Sequence, residues 1–419
     1  MVPLTHHANS RRHDLDWLRV FAFGLLILYH IGMLYVHRWG YHFKSQYTSA
    51  GLEDVMLLVN PWRMPLLWMV SGIASCYMLK KMSWARFSVL RTYRLLLPLA
   101  FGLWVIVPPQ LFVEMKGKGD FSGSYLEFYR KFLQPDAVEF ANYSSGIWPH
   151  VDVNHLWYLR ELWQFTLLLL LLLPLLNWLG RGSIISRAIV PGGPFTVLLA
   201  FPILMVLIDL AGLPDIGTED RRIALGVIFF ICGFMFTHRS RIWTGFERSR
   251  QLALGLALTT YILFLLAYHL IWIDRANGIT GQMGLALVFL DHFNRWFWLC
   301  AVFGYAHKHL NRPHPWLDYL SPGVYTFYLV HQTFILLLAW WLSPLALGPV
   351  AEPLLVILLT FFACLAIYEL VRRVRLLRPL FGLKWIPSES ATSDSRWSLA
   401  TRTVLAGVII LPLGLEILW

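Results

Sequence analysis

The chain has 419 residues, of which 57% are hydrophobic and only 14% charged, against about 25% charged in an average soluble domain. This balance excludes a soluble globular enzyme and predicts an all-α, polytopic transmembrane bundle whose 20 Trp, 17 Tyr and 28 Phe supply interfacial belts. The net charge of +11 is no nucleic-acid signature, because the basic residues follow membrane topology. The bilayer is the expected partner, and no nucleic acid is.

A polar N-terminal segment, 1–13, precedes the first apolar run. No small-residue cleavage site follows that run, so it reads as a retained helix and not a signal peptide. Runs long enough to span a bilayer lie near 20–37, 55–79, 92–113, 156–178, 195–213, 222–238, 251–273, 283–307, 321–343, 350–371 and 400–418. The first ten form a core domain over 14–375. A polar linker, 376–398, then leads to an additional C-terminal transmembrane helix, 399–419. With the N-terminus in the cytoplasm, the inner segments hold 23 of the 35 basic residues and the outer ones nine. That asymmetry is what the positive-inside rule requires. No repeat is visible, and the loop near 114–155 is too short for a soluble enzyme domain. Any chemistry must therefore use the helices and their ends.

Ionisable groups inside spans cost about 2.5–3.5 kcal/mol at a helix centre and mark function by default. In the first span, "LDWLRVFAFGLLILYH" places Arg19 and His30 eleven residues apart, almost three turns and on one face. Asp16 stands one turn before Arg19, where an i,i+3 contact would fix the guanidinium. The second span carries Arg63 and the small pair Ser71-Gly72, whose ordinary use is helix packing. "RTYRLLLP" opens the third with Arg91 and Arg94 one turn apart. Together with Arg19 these suit an anionic cofactor through bidentate phosphate contacts, or equally the anionic headgroups of lipid. "HLWYLRELW" brings His155, Trp157, Arg160 and Glu161 to the outer end of the fourth span, as an aromatic anchor or a ligand-stacking surface.

Asp291, His292 and Arg295 interrupt the eighth span, as a proton relay or as a satisfied polar contact. "YTFYLVHQ" puts Tyr328 and His331 in the ninth. The string "HKHLNRPH" has no carboxylate or cysteine support, so no metal site is expected there or elsewhere. Cys76, Cys232, Cys300 and Cys364 sit singly in apolar stretches and read as free thiols. Glu53, Asp54, Glu161 and Asp291 are all open as the carboxylate that would orient His30.

The order of these motifs, Arg-x10-His, Ser-Gly, the paired arginines and Tyr-x-x-His, resembles acyltransferase family 3 over roughly residues 14–375. Within it the first two spans are most similar to the glucans biosynthesis protein C branch. The resemblance implies a multi-pass enzyme of the bacterial inner membrane. It would move an acyl group, acetyl or succinyl, from cytoplasmic acyl-CoA to a hydroxyl of an extracytoplasmic glycan such as a periplasmic glucan. Acyl-CoA is then a donor substrate, with no permanently bound cofactor. Arg19, Arg91 and Arg94 would hold its phosphates. His30 would act as general base or transient acyl carrier, with Arg63 or His331 at the oxyanion. His155, Trp157 and Tyr328 would line the substrate site, and Trp157 with Tyr158 would stack on a sugar. The alternatives are a proton-coupled transporter or exporter, and a lipid-polymer flippase without chemistry of its own.

Overall fold

A computed structural model describes residues 11–134, 136–143, 151–181, 194–210, 219–272 and 281–385. Among them the secondary structure is helical, with a single isolated bridge between Val36 and Ser49. The helices are α1 (His13–Tyr35), α2 (Gly51–Leu79), α3 (Trp84–Phe101), α4 (Pro108–Lys118), α5 (Tyr125–Phe132), α6 (Trp157–Arg181) and α7 (Pro194–Leu210). They continue with α8 (Glu219–Phe236), α9 (Ser240–Ala267), α10 (Gly281–His309), α11 (Pro315–Leu342), α12 (Gly348–Arg373) and the short α13 (Leu377–Leu380). Each of the ten core spans expected from hydropathy is met by one of these helices, the third by α3 and α4 joined through a π-turn at Gly102–Ile106. Among the described residues six stretches are long and apolar enough to cross a membrane: His13–Tyr35, Trp84–Lys118, Asn154–Trp178, Ser240–Ile271, Pro315–Leu345 and Gly348–Arg373. The chain is a polytopic helical membrane protein. The expected eleventh span, 400–418, and most of the polar linker lie outside the described residues.

The described chain falls into two compact units. One holds the residues up to Gly24, Leu57–Tyr77 and Leu172–Ser321; the other holds Leu25–Met56, Met78–Leu171 and the residues from Pro322.

In the first unit, α2 and α8 pack through reciprocal glycines. A β-carbon on Gly72 would overlap the Phe230 carbonyl, and one on Gly233 would overlap the Met69 carbonyl. The Ser71-Gly72 pair is thus part of a close backbone approach between helices. Pro65 has no N–H for the carbonyl four residues earlier, that of Pro61. Arg295 Nε donates to that oxygen at 2.9 Å, so a guanidinium satisfies the backbone acceptor that the proline leaves unpaired.

The second unit repeats this device. Pro98 frees the Arg94 carbonyl, which accepts from the Tyr325 hydroxyl at 2.9 Å. Pro108 frees the Trp104 carbonyl, which accepts from the Tyr129 hydroxyl at 2.7 Å. The latter bond ties α5, and the aromatic cluster of Phe121, Phe128, Phe132, Phe140 and Tyr143, to the end of the π-turn. Tyr325→Phe is expected to cost about 1–2 kcal/mol by orphaning a buried carbonyl. In a Pro98→Ala background, where the alanine supplies the missing N–H, the same change should cost close to nothing. Unfolding in detergent of the four proteins of this cycle checks the assignment, and equal costs in both backgrounds would refute it.

Helix α12 shows how a membrane helix sorts its residues. Val350, Leu354, Leu358 and Phe362 recur every four residues on its exposed side, while Glu352, Val356, Thr360, Cys364 and Tyr368 are buried. The polar side chains of this stretch face inward and its most exposed positions are apolar, the reverse of a soluble helix. Glu352 is met there by the Ser45 hydroxyl at 2.7 Å. The loop from Val36 to Ala50 folds back onto α1, where Lys44 Nζ caps the Met33 and Val36 carbonyls at 2.8 and 2.6 Å. Burial pulls the Lys44 ammonium below its ordinary pKa, with Glu53 acting in the opposite direction.

Candidate functional site

The second unit contains a buried polar cluster built from α1, α4, α11 and the turn before α6. His30 Nδ1 lies 2.7 Å from His331 Nε2, and the two rings stack nearly parallel with centroids 5.0 Å apart. His331 Nδ1 faces the carbonyl oxygens of Tyr328 at 2.7 Å and Phe327 at 3.2 Å. Carbonyls only accept, so His331 carries its proton on Nδ1 and its Nε2 is the acceptor. His30 must then donate from Nδ1. In the neutral pair, His30 is left with its lone pair on Nε2. His331 is fully buried, whereas His30 is half-buried.

His155 packs edge-on against His331, with centroids 5.2 Å apart. Its Nε2 donates to the Leu329 carbonyl at 3.0 Å, and its Nδ1 accepts from the Gln110 amide at 3.3 Å. Both nitrogens are engaged, which makes this ring a fixed wall beside the histidine pair. The Tyr328 hydroxyl donates to the His155 carbonyl at 2.6 Å. The preceding residue, Asn154, has φ +46°, a left-handed conformation that Asn tolerates better than most residues. Its side-chain oxygen accepts from Gln332 at 2.8 Å. Gln332 also donates to Gln110 Oε1 at 3.2 Å, and the Gln110 amide donates to Thr333 at 2.7 Å. Thr333 in turn donates to the Ile106 carbonyl at the π-turn.

Sequence reasoning passed over Gln110, Asn154, Gln332 and Thr333. Gln110 and Gln332 were open to discovery as amides within apolar helices, where an unsatisfied polar group is expensive.

Six residues before His331 in α11 stands Tyr325. Its hydroxyl binds the Arg94 carbonyl at 2.9 Å, and Arg91, Arg94 and Tyr158 are its electrostatic neighbours. Tyr325, Tyr328 and His331 follow an i, i+3, i+6 spacing that steps about 60° around the helix each time, so Tyr328 stands between the residue at the arginine pair and the residue of the histidine pair. Their levels along α11 differ by about 9 Å. Tyr158 packs on Tyr328, with centroids 5.9 Å apart, and Trp157 meets Tyr158 at 6.4 Å. Glu161 is buried one turn beyond Tyr158, close to Tyr328.

Most of the remaining residues singled out in the sequence belong to the first unit. Arg19 donates to the Ser321 carbonyl at 2.5 Å and to its hydroxyl at 3.0 Å. Asp16 pairs with Arg11 at 2.7 Å and also accepts from Ser321 at 3.5 Å, so Ser321 is a partner common to Asp16 and Arg19. Arg63 reaches Asn60 at 3.4 Å. Asp291 and His292 join an ion network with Asp209, Arg221 and Arg295. Of the carboxylates considered for His30, Glu53 holds Arg38 at 2.8 Å within the second unit, and Asp291 holds Arg295 at 2.7 Å within the first. The four cysteines are free thiols. Among the described residues no three His, Cys, Asp or Glu side chains gather as metal ligands.

A family model described as an acyltransferase domain, acyltransferase 3, matches residues 12–369. No curated protein and no solved structure matches the chain. The match spans both units and every helix that builds the histidine and arginine pairs. The chain belongs to the acyltransferase 3 family and is a multi-pass membrane acyltransferase.

Proposed function

We propose that the protein transfers an acyl group, acetyl or succinyl, from acyl-CoA to a hydroxyl of an extracytoplasmic glycan such as a periplasmic glucan. We place it in the bacterial inner membrane with its N-terminus in the cytoplasm. The observation that carries this reading is the His30–His331 pair, whose hydrogen bonds leave the lone pair of neutral His30 on Nε2. In the proposed reaction, Nε2 removes the proton of the acceptor hydroxyl as its oxygen attacks the thioester carbonyl. The tetrahedral intermediate collapses with cleavage of the carbon–sulfur bond, and the proton on Nε2 passes to the departing thiolate. The imidazolium formed midway is steadied through Nδ1–H by His331, which the Tyr328 and Phe327 carbonyls hold in turn. Backbone carbonyls thus fill the place that a carboxylate takes in the serine-hydrolase triad.

Arg91 and Arg94 are the proposed anchors of the donor phosphates, and the concentration of basic residues on the inner side supports a cytoplasmic donor. Arg19, Arg63, Trp157 and the substrate-lining roles of His155 and Tyr328 remain proposals of the same reading.

The test uses protein in lipid vesicles with labelled acetyl-CoA and succinyl-CoA and a glucan acceptor. Label should pass to the glucan from one donor, which names the acyl group. Arg94→Ala should raise the KM for that donor about tenfold with little change in kcat, as expected for a lost phosphate contact. Negligible consumption of both donors, with a range of acceptors present, would overturn the reading.

A further inference from the structure

We infer that the segment after α12, through Arg375 and Lys384, binds the nucleotide bisphosphate end of the donor beside the Arg91–Arg94 pair. The identification of that ligand rests on the acyl-CoA reading above; the anion-binding surface stands on its own geometry. Two contacts set the segment in place within the second unit. Gly382, at φ +71°, lies so close to Tyr325 that a β-carbon would overlap the ring. Phe381 is buried edge-on against Phe101 of α3, with centroids 5.3 Å apart. Tyr325 is the same residue whose hydroxyl binds the Arg94 carbonyl and which has Arg91 as an electrostatic neighbour. The segment is therefore packed on the tyrosine that marks the arginine pair.

Its basic residues divide by what they bind. Arg372 and Arg373 pair with Glu369 at 3.1 and 2.9 Å. Arg378 is spent on the segment's own backbone, donating to the Arg372 carbonyl at 2.7 Å and the Lys384 carbonyl at 2.9 Å. The Leu383 amide closes the same turn on the Arg378 carbonyl at 2.8 Å. Arg375 and Lys384 are exposed and have no side-chain partner among the described residues. A turn held by one arginine thus presents two cations on a segment that packs on Tyr325, the residue that binds the Arg94 carbonyl.

A bare phosphate needs one such pair. A nucleoside 3′,5′-bisphosphate carries two separated anionic groups and suits two. Trp385, half exposed beside Lys384, adds an aromatic face of the kind on which bases stack. An anionic lipid headgroup shares the phosphate chemistry but does not need the second group or the indole.

Adenosine 3′,5′-bisphosphate is the probe, because its binding requires no acyl transfer. The full chain is placed in nanodiscs of phosphatidylcholine alone and of phosphatidylcholine with an anionic lipid. Wild type should bind the bisphosphate in the neutral discs. The Arg375→Ala/Lys384→Ala double variant should bind about tenfold more weakly there, the loss of two charge-assisted contacts. Gly382→Ala keeps both cations but displaces the turn, and it should weaken binding in the same direction while Tm reports that the protein is folded. Equal affinity of wild type and double variant, or no binding by wild type, overturns the inference. So does a difference seen only in the anionic discs, which would assign the segment to lipid. If bisphosphate binds as expected while neither acyl-CoA is consumed, the acyl-CoA reading fails and the anion site stands.

Discussion

His30→Ala is expected to lower acyl transfer by about 10²–10⁴-fold, the usual range for loss of a general base. Donor KM should stay nearly constant, because the arginine pair proposed to anchor the donor is untouched. His331→Ala removes no base but frees His30 Nδ1 from its acceptor. Its effect should be smaller, and it should fall on kcat. The informative variant is His331→Gln, whose amide oxygen can accept from His30 Nδ1 in the fully buried position. Partial recovery of kcat by Gln, compared with Ala, would support the role of His331 as the group that fixes the His30 tautomer. If His331→Ala instead equals His30→Ala and Gln recovers nothing, His331 does more than position its neighbour. Initial rates with labelled donor, on protein checked for Tm, separate these outcomes.

Asp209→Ala is expected to destabilise the first unit by about 3–5 kcal/mol, since removing one partner leaves buried charge uncompensated. Asp209 accepts from Arg221 at 2.5 Å and from His292 Nε2 at 2.6 Å. His292 Nδ1 accepts from Arg295 at 3.2 Å, and Arg295 also binds Asp291 and the Pro61 carbonyl. Both imidazole nitrogens are thus engaged, and the guanidinium of Arg295 closes the chain on backbone. This arrangement acts as a clasp between α7, α8, α10 and α2. Asp291 and His292 each have partners in this network, as the satisfied-contact reading expects. Replacing Asp209 and Arg221 together with leucine should recover much of the loss, because a buried ion pair exchanged for apolar packing is often neutral. Unfolding midpoints in detergent decide the matter. A midpoint for Asp209→Ala equal to wild type would mean that the clasp contributes nothing.

Much of the architecture was legible from hydropathy because a bilayer demands about 20 apolar residues per span and satisfies no backbone group itself. A helix lies at each of the ten core spans expected this way, including the one interrupted by Asp291, His292 and Arg295, and six stretches of the described residues are long and apolar enough to cross a membrane. Arg19, His30, Arg91, Arg94 and His331 stood out for the same reason: ionisable groups are costly where they lie. The resemblance carried by their order agrees with the family match over residues 12–369.

What the linear chain could not convey is which polar group meets which. The partner of His30 is 301 residues away, and no periodicity relates the two. A carboxylate is the commonest orienting group, yet at His30 Nδ1 stands an imidazole held by two backbone carbonyls. The prolines show the same limit. Pro65, Pro98 and Pro108 each announce a freed carbonyl four residues earlier, but only packing assigns Arg295, Tyr325 and Tyr129 to those oxygens. Composition and spacing report the cost of placing a group in the membrane. Tertiary structure supplies the partner that offsets it, because hydrogen bonds are short and directional and depend on helices brought together from distant parts of the chain.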